Sequence, residues 1–130
     1  MSLRVHRVGA QIAVSDIDRA ARFYEDALGL THVGEDYGGT RAYPCADGTE
    51  LFVYASPAHA GKPTATVARW VVDDLERVVR ELRDRGVDFE RYDEPKTDDR
   101  GIHDSGYGLV AWFKDPDGNT FALEQGRAAP

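Results

Sequence analysis

The chain is poor in cysteine: Cys45 is the only one in 130 residues. A single thiol cannot close an internal disulfide, which removes the cross-linked secreted scaffolds and makes a reducing, cytoplasmic location the expectation. With no histidine beside it in sequence to lower its pKa, Cys45 reads as a small packed side chain rather than a nucleophile. Long apolar runs are also missing. No stretch approaches the roughly 20 residues of a membrane span, and the first residues lack a signal peptide's apolar core, so no membrane partner is expected. Nor is there an excess of basic charge. Sixteen Lys and Arg against 23 Asp and Glu leave a net charge of −7, a sign that repels nucleic acid and anionic membrane surfaces.

What is present is said twice. Residues 8–54 read as strand, helix and three short strands, and residues 66–124 repeat that order. Each half opens with an apolar run into a capped helix: Val8 to Val14 before Ser15-Asp16, and Thr66 to Val72 before Asp73-Asp74. Each helix stops at a glycine, Gly29 or Gly86. Each half ends in a hairpin turned by an Asp-Gly pair, Asp47-Gly48 or Asp117-Gly118. Such a duplication places equivalent strands on both sides of one cleft, where function is to be sought. The expectation is one α+β domain, residues 1–130, of tandem βαβββ modules. The modules are 5–55 and 66–125, joined by a connector, 56–65, and they form a curved, cleft-bearing mixed sheet with the helices outside.

Spacing supports the elements. Ile17, Ala20, Ala21, Tyr24 and Leu28 form one helical stripe, with Ser15 as the expected N-cap. Leu75, Val78, Val79 and Leu82 form the second stripe, with Asp73 and Glu76 at capping-box spacing. The outer face of that helix, Arg77, Arg80, Glu81, Arg83, Asp84 and Arg85, reads as a solvated charge run. On the strands, Val8, Ala10, Ile12 and Val14 form one row, as do Ala68, Trp70 and Val72, and Phe121 and Leu123; these suit packing on the helices. The opposite rows hold Gln11, Arg69 and Glu124 as polar groups facing the cleft.

Arg69 can recognise an anionic group through its fork of donors, and Glu124 can hold Arg69 in an ion pair or act as a base. Among the aromatics Tyr37, Tyr43, Tyr54, Trp70, Tyr92, Tyr107 and Trp112, alternation sends Tyr43, Tyr54 and Trp70 to the core. Tyr107 and Trp112 remain as an apolar wall for a flat ligand. The polar loop Asp93–Gly106 reads either as an ordinary surface loop or as a flap presenting Arg100, Ile102 or His103. His6, His32 and His59 read as surface or loop residues, none at a paired metal-binding spacing, while His103 is placed to touch a ligand.

Three segments carry a family resemblance: Val14-Ser15-Asp16-Ile17-Asp18-Arg19-Ala20-Ala21-Arg22-Phe23-Tyr24 with Leu28-Gly29-Leu30, then Val72-Asp73-Asp74-Leu75 with Leu82 and Arg85-Gly86-Val87, and Trp112-Phe113-Lys114-Asp115-Pro116-Asp117-Gly118-Asn119. Over essentially its whole length the chain resembles the vicinal oxygen chelate superfamily, which holds glyoxalase I, fosfomycin-resistance transferases, extradiol dioxygenases and bleomycin-resistance proteins. The resemblance implies this fold and a homodimer. Metal-dependent members bind one divalent ion with His, Glu or Gln, one from each of four strands. The motifs put those positions at Gly9, Leu51, Val67 and Ala122, none with a donor side chain. A slip of two residues brings in Gln11, Val53, Arg69 and Glu124, of which two can ligate and one is a fixed cation. A slip of one recruits Glu50 but turns apolar faces outward.

The expectation is therefore a small-molecule-binding protein with no metal and no cofactor, resembling the bleomycin-resistance type more than the glyoxalase type. Gln11, Arg69, His103, Tyr107, Trp112 and Glu124 are its candidate ligand-binding residues. The competing expectation is a lyase, isomerase or dioxygenase of the same superfamily, and a third is a regulatory module without turnover.

Overall fold

The computed structural model describes residues 3–34 and 38–126; Tyr37 lies outside them. The chain divides into two compact units, Met1–Lys62 and Pro63–Pro130. Among the described residues no helix is long and apolar enough to cross a membrane.

The first unit contains β1 (Ala10–Val14), α1 (Ile17–Ala21), β2 (Thr40–Pro44) and β3 (Glu50–Ala55). Its sheet has the order β1-β3-β2, with β1 parallel and β2 antiparallel to β3. Two strands, not three, follow the helix among the described residues. Val33 makes only an isolated bridge to Ala42, because the chain turns through left-handed Gly34 straight after it. The first strand also begins later than its apolar run: its pairing starts at Ala10↔Leu51, leaving Val8 87% exposed. Ile12, Val14, Leu51, Val53, Tyr43, Ala20 and Tyr24 make the core of this unit.

The N-cap of α1 is Asp16 rather than Ser15. Its carboxylate accepts from the backbone N–H of Asp18 at 2.9 Å and of Arg19 at 3.1 Å, while Ser15 Oγ accepts from the Arg19 guanidinium at 2.9 Å. After Ala21 the helix widens into a π-helical turn, Arg22–Ala27, marked by the bond from Leu28 N–H to Phe23 O at 3.1 Å. This turn keeps Tyr24 in the core, stacked on Tyr43 at 5.8 Å between centroids. It also sets Glu25 to accept from Tyr43 Oη at 2.9 Å.

The second unit contains β4 (Thr66–Val71), α2 (Leu75–Asp84), β5 (Ile102–Asp104), β6 (Gly108–Lys114) and β7 (Thr120–Gly126). Its sheet has the order β4-β7-β6-β5, with β4 and β7 parallel and the other pairs antiparallel. The cap of α2 is Asp74, one residue later than the capping-box spacing suggests. Asp74 has a non-helical backbone, φ −134° and ψ 85°, and its carboxylate accepts from the N–H of Arg77. One sheet face packs on α2: Trp70, Phe113 and Phe121 form a ring cluster with centroids 5.4–6.1 Å apart, flanked by Ile102, Ala111 and Leu123. Gln125, on the same row, accepts the N–H of Leu75 at 2.7 Å and ties the helix start to β7.

The motif from Asp115 to Asn119 is a turn. Asp115 Oδ1 accepts from the N–H groups of Asp117 and Asn119, and Oδ2 accepts from Asn119 Nδ2 at 2.8 Å. Both side chains are buried. The residues that mark the family most specifically in sequence therefore hold a β6–β7 hairpin in register, a structural task.

Candidate functional site

Strand pairing places the polar candidates of the second unit on the sheet face opposite α2. Arg69 lies beside Ala122, Trp112 on its other side, Val110 beside Glu124, and His103 beside Val110. Side chains paired in this way share a face. Arg69 Nη1 donates to Glu124 Oε1 at 2.7 Å, one step diagonally across the parallel ladder. The Arg69 side chain is 61% exposed and that of Glu124 33%. Arg69 thus stands in an open setting: β4 is an edge strand, with no further strand beyond it among the described residues of this unit.

Trp112 meets two rings. Tyr92 stands edge-on to it at 5.5 Å between centroids, and His103 is tilted against it at 6.2 Å. The His103 ring is held by a hydrogen bond between Nδ1 and Lys96 O at 2.7 Å. Burial, aided by the charge of Glu90, pushes the Tyr92 phenol above its ordinary pKa. Tyr107, expected at this wall, is instead 85% exposed at the tip of the β5–β6 turn. There it borders a groove of about 160 Å³ that Val110 and Glu124 also line. Sequence reasoning missed Tyr92; the available signal was an aromatic residue at the entry to the long polar loop.

That loop is stapled rather than loose. Asp98 accepts from the N–H of Arg100 at 2.8 Å and of Ile102 at 3.0 Å, and from the Arg100 guanidinium at 2.9 and 3.2 Å. Burial opposes ionisation of Asp98, but these bonds outweigh it and hold the carboxyl below its ordinary range. Thr97 bonds both backbone groups of Tyr92. His103 also lines a cavity of about 400 Å³ at the β5 edge.

In the first unit, Gln11 is exposed on β1 beside Phe52. Its row continues on β3 as Glu50, Phe52 and Tyr54, while Leu51 and Val53 are buried on the other. Two expectations change with this register: Leu51 and Val53 do not share Gln11's face, and Tyr54 does not point to the core. Among the histidines, His32 Nδ1 lies 3.7 Å from Glu25 Oε1 and His59 Nδ1 2.8 Å from Ser56 Oγ.

The four positions that the resemblance implies for a metal carry no donor side chain. Gly9 has no side chain, Leu51 is buried in the core, Val67 is the residue bulged out of the β4–β7 register, and Ala122 offers only a methyl group. Among the described residues no group of three or more His, Cys, Asp or Glu is arranged to hold an ion. Of the two possible ligands in the slipped register, Gln11 and Glu124, Glu124 is already bound to Arg69.

The model of the glyoxalase/bleomycin resistance protein/dioxygenase superfamily matches residues 4–123, so the chain belongs to that superfamily. Among solved structures it resembles the bleomycin resistance determinant encoded on the transposon Tn5, at 25% identity and a TM-score of 0.69 over 95% of this chain and 100% of that one. It also resembles TnmS3, an antibiotic binding protein from Streptomyces sp. CB03234, at 24% identity and a TM-score of 0.72 over 97% and 100%. A glyoxalase/bleomycin resistance protein from Catenulispora acidiphila shares 22% identity at a TM-score of 0.69 over 93% and 98%. No curated protein matches the sequence.

Proposed function

We propose that this protein is a metal-free small-molecule-binding protein of the bleomycin-resistance type, which sequesters its ligand without converting it. The observation that carries the reading is one open sheet face holding an aromatic wall, Tyr92, Trp112 and His103, beside the Arg69–Glu124 pair. A flat ring system gains by lying against such a wall, and an adjacent polar or charged group finds both a donor fork and a carboxylate. The likeness to the Tn5 bleomycin resistance determinant supports the same class. Tyr107 and Gln11 remain part of the proposed ligand-binding set. The missing donors at the four metal positions support binding without an ion, and exposed Val71 on the β4 edge supports a homodimer that covers it.

Calorimetric and tryptophan-fluorescence titration with bleomycin and with flat aromatic antibiotics tests the reading. A saturable signal near one ligand per chain, with the ligand recovered unchanged, is expected. Elemental analysis should find well under one equivalent of Ni, Zn, Fe, Mn or Co, and light scattering about twice the monomer mass at micromolar concentration. Chemical conversion of the ligand, or stoichiometric metal whose chelation abolishes binding, would overturn the proposal.

A further inference from the structure

We infer that the second unit carries a separate oxyanion site on its helix side, suited to a phosphate group. Arg80 and Arg83 on α2 line a cavity of about 320 Å³, and Arg100 from the stapled loop lines it opposite them. Glu76, Val79 and Asp84 complete the lining. The sequence reads this helix face as merely solvated; the loop residue makes it one wall of a half-open hollow. Arg100 is already engaged, with Nη2 2.9 Å from Asp98 Oδ2 and 3.7 Å from Glu76 Oε1. Arg80 and Arg83 have no carboxylate partner among the described residues.

Each guanidinium offers a planar fork of donors. Two forks from successive turns of a helix and a third from the facing loop suit an acceptor approached from three sides. A phosphate group presents three terminal oxygens, one for each guanidinium, and up to two negative charges whose attraction to the three arginines acts against the repulsion of Glu76 and Asp84. A carboxylate presents two oxygens in one plane and a single charge. Val79 adds an apolar contact, which suits a phosphate carried on a small organic group. Because Asp98 holds both Arg100 and the N–H of Ile102, an anion drawing on Arg100 is felt along that loop. None of these residues belongs to the proposed aromatic site, so the two readings stand or fall separately.

The test is a backbone-amide NMR titration at constant ionic strength with inorganic phosphate, phenyl phosphate and acetate. It compares the natural protein with the Arg80→Ala/Arg83→Ala double variant, whose fold is checked by circular dichroism. Saturable shifts at residues 76–84 and 98–102 are expected for both phosphates, at least about tenfold weaker in the double variant, as for loss of a charge-assisted hydrogen bond. Tighter phenyl phosphate identifies an organic phosphate as the occupant; tighter inorganic phosphate identifies the free ion. Absence of saturation, equal affinity for acetate, or shifts unchanged in the double variant overturns the site.

Discussion

Arg69 and Glu124 are 55 positions apart in sequence and form a 2.7 Å ion pair across the parallel β4–β7 ladder, yet the Arg69 side chain stays 61% exposed. An exposed pair contributes at most about 1 kcal/mol to folding, while leaving a donor fork free to engage a ligand. Arg69→Met, which keeps the stem volume, is therefore expected to shift urea unfolding by no more than about 1 kcal/mol. It should weaken a ligand bearing a carboxylate or similar acceptor by roughly 1.5–3 kcal/mol. A drop in stability with unchanged affinity in calorimetry would assign the pair a structural role.

Trp112 provides the largest ring of the aromatic wall, and Trp70, the other tryptophan, packs in the ring cluster against α2. Ligand-induced quenching of tryptophan fluorescence is expected to vanish in Trp112→Phe while affinity changes little. Trp112→Ala should lose roughly 1–3 kcal/mol of binding as the stacking surface goes. Quenching that persists in Trp112→Phe would move the ligand elsewhere.

The Asp98 staple makes the Asp93–Gly106 loop acid-sensitive. Its folded pKa lies below the unfolded value of about 3.9. Its stabilisation is thus fully present above that pH and is lost as pH falls through the folded pKa. Hydrogen exchange at the amides of Arg100 and Ile102 should accelerate, beyond the intrinsic pH effect, below about pH 4. Asp98→Asn should show that faster exchange already at neutral pH; identical protection in the variant would show that the carboxylate does not hold the loop.

Gly101 closes this loop at φ 87°, where an added Cβ would lie 2.8 Å from Glu90 O and 2.9 Å from Phe89 Cβ. Gly118 has a similar φ of 92° but open space around it. Gly118→Ala should cost about 1–2 kcal/mol, the left-handed penalty alone, and Gly101→Ala clearly more, measured by denaturant unfolding. Equal costs would mean that the neighbouring Phe89–Glu90 segment yields freely.

The candidate site was partly legible. Period-two alternation put Arg69 and Glu124 on one row and Trp70 on the other, because each residue's face follows from its neighbours. The β3 row could not be read in that way. The stretch Leu51 to Tyr54 carries large apolar or aromatic side chains on both rows, and only pairing with Gln11 decided that Phe52, not Leu51 or Val53, lies on its face. Tyr92 replaces Tyr107 at the Trp112 ring for a similar reason: loop closure by Asp98 and Thr97, not strand periodicity, brings it there.

By itself the sequence determined what acts over a few residues: two amphipathic helices ended by Gly29 and Gly86, the Asp-Gly hairpins, and the motifs that identify the superfamily. Turn dihedrals, i to i+4 contacts and capping bonds are local, so their residue requirements are written consecutively. Tertiary structure decided the rest. The choice of Asp16 and Asp74 as caps depends on where each strand leaves its sheet, and the widening of α1 accompanies the packing of Tyr24 on Tyr43 and the Tyr43–Glu25 bond. The openness of Arg69 follows from β4 being an edge strand, and the arginine-lined cavity from a loop folding back toward α2. These contacts join residues far apart in the chain, whose geometry is settled only when the sheet register and the loop hydrogen bonds form together.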